Sequence, residues 1–232
     1  MKCICVPVRD RYSLLRGLMD SLRPFEERGW NIVLGIEPGD ETIQRAYRHR
    51  TPLFTLWNSV PYGIGWNHYK VVSYAFSKLN ADYAMVLDAD TLVLPDAINL
   101  VKWFDGHRNE YLALSLLSLR LEDTYRERAE ELVECTFASR FQLTLGREMW
   151  YKYVQPVWMR TGQWDESLHD VCMRTGLRVI HPEMSRIKLC GQNNSRVLGS
   201  EEHRRIEERL VCFEGESAGR YYLKDPVIQE RR

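Results

Sequence analysis

Apolar and polar positions along the first 90 residues switch between two periods. "CICVPV" (3–8) is a short apolar run that stops at Arg9 and Asp10, the length and composition of a buried strand. "YSLLRGLMDSL" (12–22) then spaces its apolar residues helically, with Leu14, Leu15, Leu18, Met19 and Leu22 on one side. Gly29 closes that unit, and "NIVLGI" (31–36) reads as the next strand. "DETIQRAYRHR" (40–50) predicts a polar helix with Asp40 at its N-cap, and "PLFTLWN" (52–58) a third strand. The loop "SVPYGIG" leads into "WNHYKVVSYAFSKL" (66–79), an amphipathic helix, and "YAMVL" (83–87) is the fourth strand. Strands alternating with helices in this way predict βαβ units, a mainly parallel sheet and right-handed crossovers.

The pattern is less regular afterwards. "EDTYRERAEELVE" (122–134) reads as a solvated helix, and "LHDVCMRTG" (168–176) as a short helix ended by Gly176, with Asp170 in its first turn. Residues 191–232 are charge-dense and are expected to form a helical extension on the same domain, covering the ligand site. No composition shift marks a second domain and no repeat is visible.

Composition narrows the class. At 232 residues and 44% apolar, the chain supports a sizeable core in one α/β domain. Net charge is zero, and residues 1–116 carry 13 basic and 13 acidic side chains, so neither half offers a broad electrostatic footprint for nucleic acid or an acidic membrane. The longest apolar stretches, such as "YLALSLLSL", fall well short of the ~20 residues that span a bilayer. The N-terminus turns polar too soon for a signal peptide. Six cysteines show neither CxxC spacing nor a dense framework. Free thiols and a cytoplasmic location are the expectation.

Candidate chemistry sits in "VLDADTLVLPDA" (86–97). Asp88 and Asp90 fall at the carboxyl end of the fourth predicted strand, where open parallel sheets bind ligands. Arg9 and Asp10 follow the first strand and Glu37 the second, so polar groups from three strand ends converge on one rim. Two carboxylates at this spacing suit Mg²⁺ or Mn²⁺, which fill the rest of their shell with water and substrate phosphates. The matching ligand is a nucleotide diphosphate, with Asp88 also in a position to bind a ribose hydroxyl. No neighbouring His or Cys completes a closed zinc site.

These segments resemble the family 2 glycosyltransferases of GT-A fold. "CICVPVRDRYSLLRGLMDSL" is similar to their opening, "NADYAMVLDADTLVLPDAINLVKWF" to their Asp-x-Asp segment, and "YGIGWNHYKVVSYAF" to their Gly-rich entry into a helix bearing an Asn, here Asn67. "GQWDESLHDVCMRTGLRVIHPEM" (162–184) resembles their Gly-Phe-Asp-Glu … Glu-Asp … Pro-Glu segment, with His169 replacing the Glu. The likeness covers about residues 2–190 and is poor over 105–150. It implies a GT-A domain with a nucleotide-sugar half to about residue 104 and an acceptor half to about 190. The implied reaction is metal-dependent, inverting transfer of a sugar from a nucleotide-sugar donor, a UDP-sugar foremost, to an acceptor hydroxyl. That hydroxyl belongs to a sugar, a protein, a small molecule or a modified nucleobase. The general base falls on Asp170, with Glu166 in reserve. Arg9, Asp10, Glu37, Asn67 and Asp88 are implied for the nucleotide; Asp88, Asp90 and a later His, His203 or His181, for the metal. Trp164, Asp165 and His169 are expected to face the acceptor. The Gln-x-x-Arg-Trp motif of processive synthases is absent, which points to single-sugar addition.

Two other readings fit parts of the chain. "LDADTLV" also suits the Asp-x-Asp-x-Thr nucleophile of haloacid dehalogenase-type phosphatases, although three predicted strands precede it and no Gly-Asp-x-x-x-Asp follows. A catalytically silent sugar- or nucleotide-binding module is favoured by His169 standing where the family has Glu. A nucleotidyltransferase is disfavoured because "VPVRDR" lacks a Gly-rich phosphate loop.

Overall fold

A computed structural model describes residues 1–8, 12–38, 53–61, 63–117, 131–135, 142–161, 165–182, 185–189 and 227–230. Strand β1 (Lys2–Val8) lies inside the main sheet, parallel to β2 (Asn31–Ile36) on one side and to β4 (Tyr83–Val86) on the other. β3 (Leu53–Trp57) extends the parallel set beyond β2. β5 (Thr91–Val93) leaves the sheet and pairs with β10 (Ile187–Leu189) in an antiparallel ribbon. β6 (Ala113–Ser115), β7 (Glu131–Cys135), β8 (Leu143–Gly146), β9 (Val179–Pro182) and β11 (Val227–Glu230) complete a nine-stranded sheet of order β11-β7-β9-β6-β8-β4-β1-β2-β3. β8 runs antiparallel between β4 and β6.

The period-2 pattern decides which face each helix covers. Ile4, Val6, Val8, Ile32, Leu34, Ile36, Tyr83 and Met85 enter one core with α1 (Tyr12–Ser21), the short α2 (Arg23–Glu26) and α4 (Ala97–His107). Cys3, Cys5, Val33, Ala84 and Val86 enter the other, against α3 (Ile64–Ser77). The same face takes α5 (Arg147–Met149), a π-helical turn (Trp150–Val154), α6 (Gln155–Thr161) and α7 (Asp165–Thr175). Both faces of the central strands are covered, which is why they read as continuous apolar runs rather than alternating ones.

Gly35 shows how closely α3 approaches. It shares a face with Val33, and a Cβ there would run into Asn67 Oδ1 and Val71 Cγ1. The bare backbone lets Asn67 Nδ2 donate to Gly35 O at 2.8 Å.

The predicted elements at 3–8, 12–22, 31–36, 52–58 and 83–87 are present, and α3 begins two residues before its expected start. The expected helix at 40–50 lies outside the described residues. Three expectations are corrected. Residues 131–134 belong to strand β7, not to a helix over 122–134: Leu132 and Val133 are adjacent yet both buried, because sheet pairing with β9 and β11 overrides a helix-favouring composition. Residues 227–230 form a strand rather than part of a helical extension, pairing in parallel with β7. α7 starts at Asp165, so Asp170 stands in its second turn rather than its first.

Candidate active site

The carboxyl ends of the parallel strands form a graded rim. Beyond β2, Glu37 N–H still donates to Val8 O at 3.0 Å, and beyond β3, Asn58 N–H donates to Ile36 O at 2.9 Å. Beyond β4, Leu87 N–H donates to Cys5 O at 3.0 Å. Glu37 and Asn58 are therefore held by ladder bonds that continue past the strands, and Asp88 follows directly on the one made by Leu87. β4 and β2 flank β1, which puts Asp88 and Glu37 two strand spacings apart, about 10 Å.

Helix α3 sets two polar residues onto this rim. Asn67 and His68 are both buried on its sheet-facing side, Asn67 toward β2 and His68 toward β4. Asn58 Nδ2 lies 3.2 Å from both Glu37 Oε1 and Asn67 Oδ1, and Lys70 Nζ donates to Asn58 Oδ1 at 2.5 Å. Glu37 is only 5% exposed, so part of its accepting capacity is spent inside this network. On the other side, His68 Nε2 lies 3.2 Å from Asp88 Oδ1.

Asp88 and Asp90 flank a turn closed by Thr91 N–H donating to Asp88 O at 3.1 Å. Thr91 opens β5, and its Oγ1 accepts from Gln142 Nε2 at 2.9 Å. The turn is thus pinned by β4 behind it and by the β5–β10 ribbon in front, while both carboxylate residues remain partly exposed. No group of three or more His, Cys, Asp or Glu able to enclose a metal occurs among the described residues. Two partly exposed carboxylates on a fixed turn fit a hard cation that keeps open positions for phosphate and water, and do not fit a closed structural site.

The remaining candidates separate. Arg9, Asp10, Trp164 and His203 lie outside the described residues. His181 is buried in β9, with Nδ1 2.9 Å from Pro182 O. Asp165 and Glu166 fall in the first turn of α7, and Asp170, expected in the first turn, stands in the second. Asp170 and His169 are exposed, and α7 packs through Leu168, Val171 and Cys172. Burial pushes the Cys3 and Cys172 thiols up to about 11 and Cys5 well above its ordinary value, which marks them as core side chains rather than nucleophiles. No helix among the described residues is long and apolar enough to cross a membrane.

Sequence reasoning missed His68, Asn58 and Lys70. The signal was present for His68: positions 67, 71 and 75, with 68 and 72, form the buried stripe of α3, so two adjacent polar residues interrupt an apolar face. Asn58 and Lys70 gain meaning only once β3 and α3 are side by side.

No family model matches the chain, and no curated protein sequence matches it. Solved structures do. One is TarS (residues 1–349) from S. aureus in complex with UDP-GlcNAc, with a TM-score of 0.57 at 12% identity over 80% of this chain. Another is the mannosyltransferase PcManGT from Pyrobaculum calidifontis in complex with GDP-Man and Mn²⁺, with a TM-score of 0.54 at 16% identity over 78% of this chain. This chain spans 57% of the TarS structure and 54% of PcManGT. At these identities the likeness establishes the fold: a mixed α/β domain whose large, mostly parallel central sheet matches that of nucleotide-sugar-bound structures.

Proposed function

We propose that the chain is a metal-dependent, inverting glycosyltransferase that moves one sugar from a nucleotide-sugar donor, a UDP-sugar foremost, to an acceptor hydroxyl. The observation that carries this reading is the Asp88–Asp90 turn, pinned at the carboxyl end of a central strand in a sheet shaped like those that hold UDP-GlcNAc and GDP-Man with Mn²⁺. Asp88 and Asp90 are the residues to hold Mn²⁺ or Mg²⁺, with His203 as a candidate further ligand. The cation supplies positive charge for the departing diphosphate.

The chain's own groups supply the rest. Glu37, Asn58 and Asn67 line the rim where the nucleoside would lie, and Arg9 and Asp10 are further candidates for nucleotide binding. The acceptor oxygen attacks the anomeric carbon from the face opposite the diphosphate, the bond to the diphosphate oxygen breaks, and the hydroxyl proton passes to a carboxylate. Asp170 and Glu166 are the candidates for that carboxylate, and Trp164, Asp165 and His169 are the candidates for acceptor binding.

The test is hydrolysis and transfer across a panel of nucleotide sugars, with and without Mn²⁺. Metal-dependent release of nucleoside diphosphate from one donor is the expected result. Nucleotide binding without any turnover would support a silent binding module instead, and turnover of phosphate monoesters alone a phosphatase.

A further inference from the structure

The His68–Asp88 contact brings a fully buried titratable side chain against the candidate cation site. His68 is 0% exposed, whereas Asp88 is 20% exposed, so a buried group holds a half-open one. The backbone on both sides of Asp88 is already fixed, by Leu87 N–H to Cys5 O and by Thr91 N–H to Asp88 O. What those bonds leave undetermined is the rotation of the carboxylate. A carboxylate oxygen only accepts, so the hydrogen shared at 3.2 Å sits on His68 Nε2. With Oδ1 engaged in this way, Oδ2 accepts no hydrogen bond among the described residues.

We propose that His68 is the positioning residue of the metal site: its Nε2–H fixes Asp88 Oδ1, so that Oδ2 meets a divalent cation in a single orientation. This rests on Asp88 and Asp90 being the cation ligands. Groups that orient a ligand from behind change metal affinity without touching the metal. The arrangement also gives α3 a task at each end of the rim, since the neighbouring Asn67 secures β2 through Gly35 O while His68 secures β4.

The probes are Mn²⁺ and UDP, with the full chain. Free Mn²⁺ is read by electron paramagnetic resonance, alone and with UDP, and folding by circular dichroism. His68→Leu, which keeps the volume and loses the donor, should weaken Mn²⁺ binding about tenfold or more, while His68→Gln, whose Nε2 reaches the same place, should stay within about threefold. Asp88→Asn alone and Asp88→Asn with His68→Leu should show the same loss, because the two residues act as one unit. If His68→Leu does not fold, His68→Asn takes its place, its amide being too short to reach Asp88. Equal losses in the Leu (or Asn) and Gln variants would assign His68 to packing and overturn the proposal. So would unchanged Mn²⁺ affinity in a folded Leu variant, with wild-type binding intact and the proposed function untouched. A wild-type chain that binds neither Mn²⁺ nor UDP would overturn both.

Discussion

Single residues divide the rim into groups that face a ligand and groups that hold those in place. Asp90 is partly exposed, on a turn closed by the backbone bond from Thr91 N–H to Asp88 O. Asp90→Asn should therefore leave the melting temperature nearly unchanged while abolishing most of the Mn²⁺ dependence of nucleoside diphosphate binding. Calorimetry showing equal affinity with and without metal in the wild-type chain would remove the basis for this assignment. The general base can be located the same way. Asp170→Asn and Glu166→Gln each keep size and remove the proton acceptor, so the true base should lose at least ~10²-fold in transfer rate at saturating substrates with donor affinity retained. The other variant should stay near wild type, and two near-normal variants would exclude both residues.

At the scale of elements, the contact between α3 and β2 is what assembles the site. Asn67, Asn58, Glu37 and Lys70 are linked across two strands and one helix, and the helix reaches them because Gly35 lacks a side chain. Gly35→Ala inserts a methyl group against Asn67 and Val71 on a buried face of the sheet. We expect a loss of about 1–3 kcal/mol in urea unfolding, together with weaker nucleotide and metal binding as α3 shifts. A variant that unfolds like wild type yet binds nucleotide normally would show that α3 tolerates displacement. Gly35 was readable as part of a strand, but its purpose was not, since nothing local says which helix residue lies above it. Asp170 shows the opposite case. The helix and its Gly176 terminus were legible from the apolar spacing, while its start was placed three residues late, which put Asp170 in the first turn instead of the second.

Across the whole molecule, the β5–β10 ribbon connects the carboxylate turn to the later part of the chain. Its anchor is a buried ion pair: Arg186 Nε lies 2.6 Å from Asp96 Oδ2, with the side chains 1% and 3% exposed. Asp96 precedes α4, and Arg186 precedes β10 while exchanging backbone bonds with Leu94 and Leu116. Arg186→Met leaves a buried carboxylate without its cation and should cost about 3–5 kcal/mol, most of it recovered in Asp96→Asn/Arg186→Met. Burial, only partly offset by the Arg186 guanidinium, holds the Asp96 carboxyl above its ordinary value of 3.8. A raised folded-state value stabilises below the unfolded one, and that contribution is lost as pH rises through the folded value. Wild type should therefore show a component of stability that declines above about pH 3.8 and is missing from the double variant, measured by melting temperature against pH.

The sequence by itself determined the parallel half of the sheet, the helices on its two faces and the aspartates at its carboxyl edge. Those follow from local periodicity: strands buried on both faces read as apolar runs, amphipathic helices repeat at 3.6, and a loop that follows a parallel strand can only emerge at one edge. The tertiary structure alone decided the rest. Residues 131–135 became a strand because partners distant in sequence offered them a ladder, which no window of local composition contains. The β5–β10 ribbon joins residues almost a hundred positions apart for the same reason. His68 acquired a role because a helix packed across two strands brings its buried stripe against Asp88, and side-chain chemistry at such a contact depends on which elements touch rather than on what each element is.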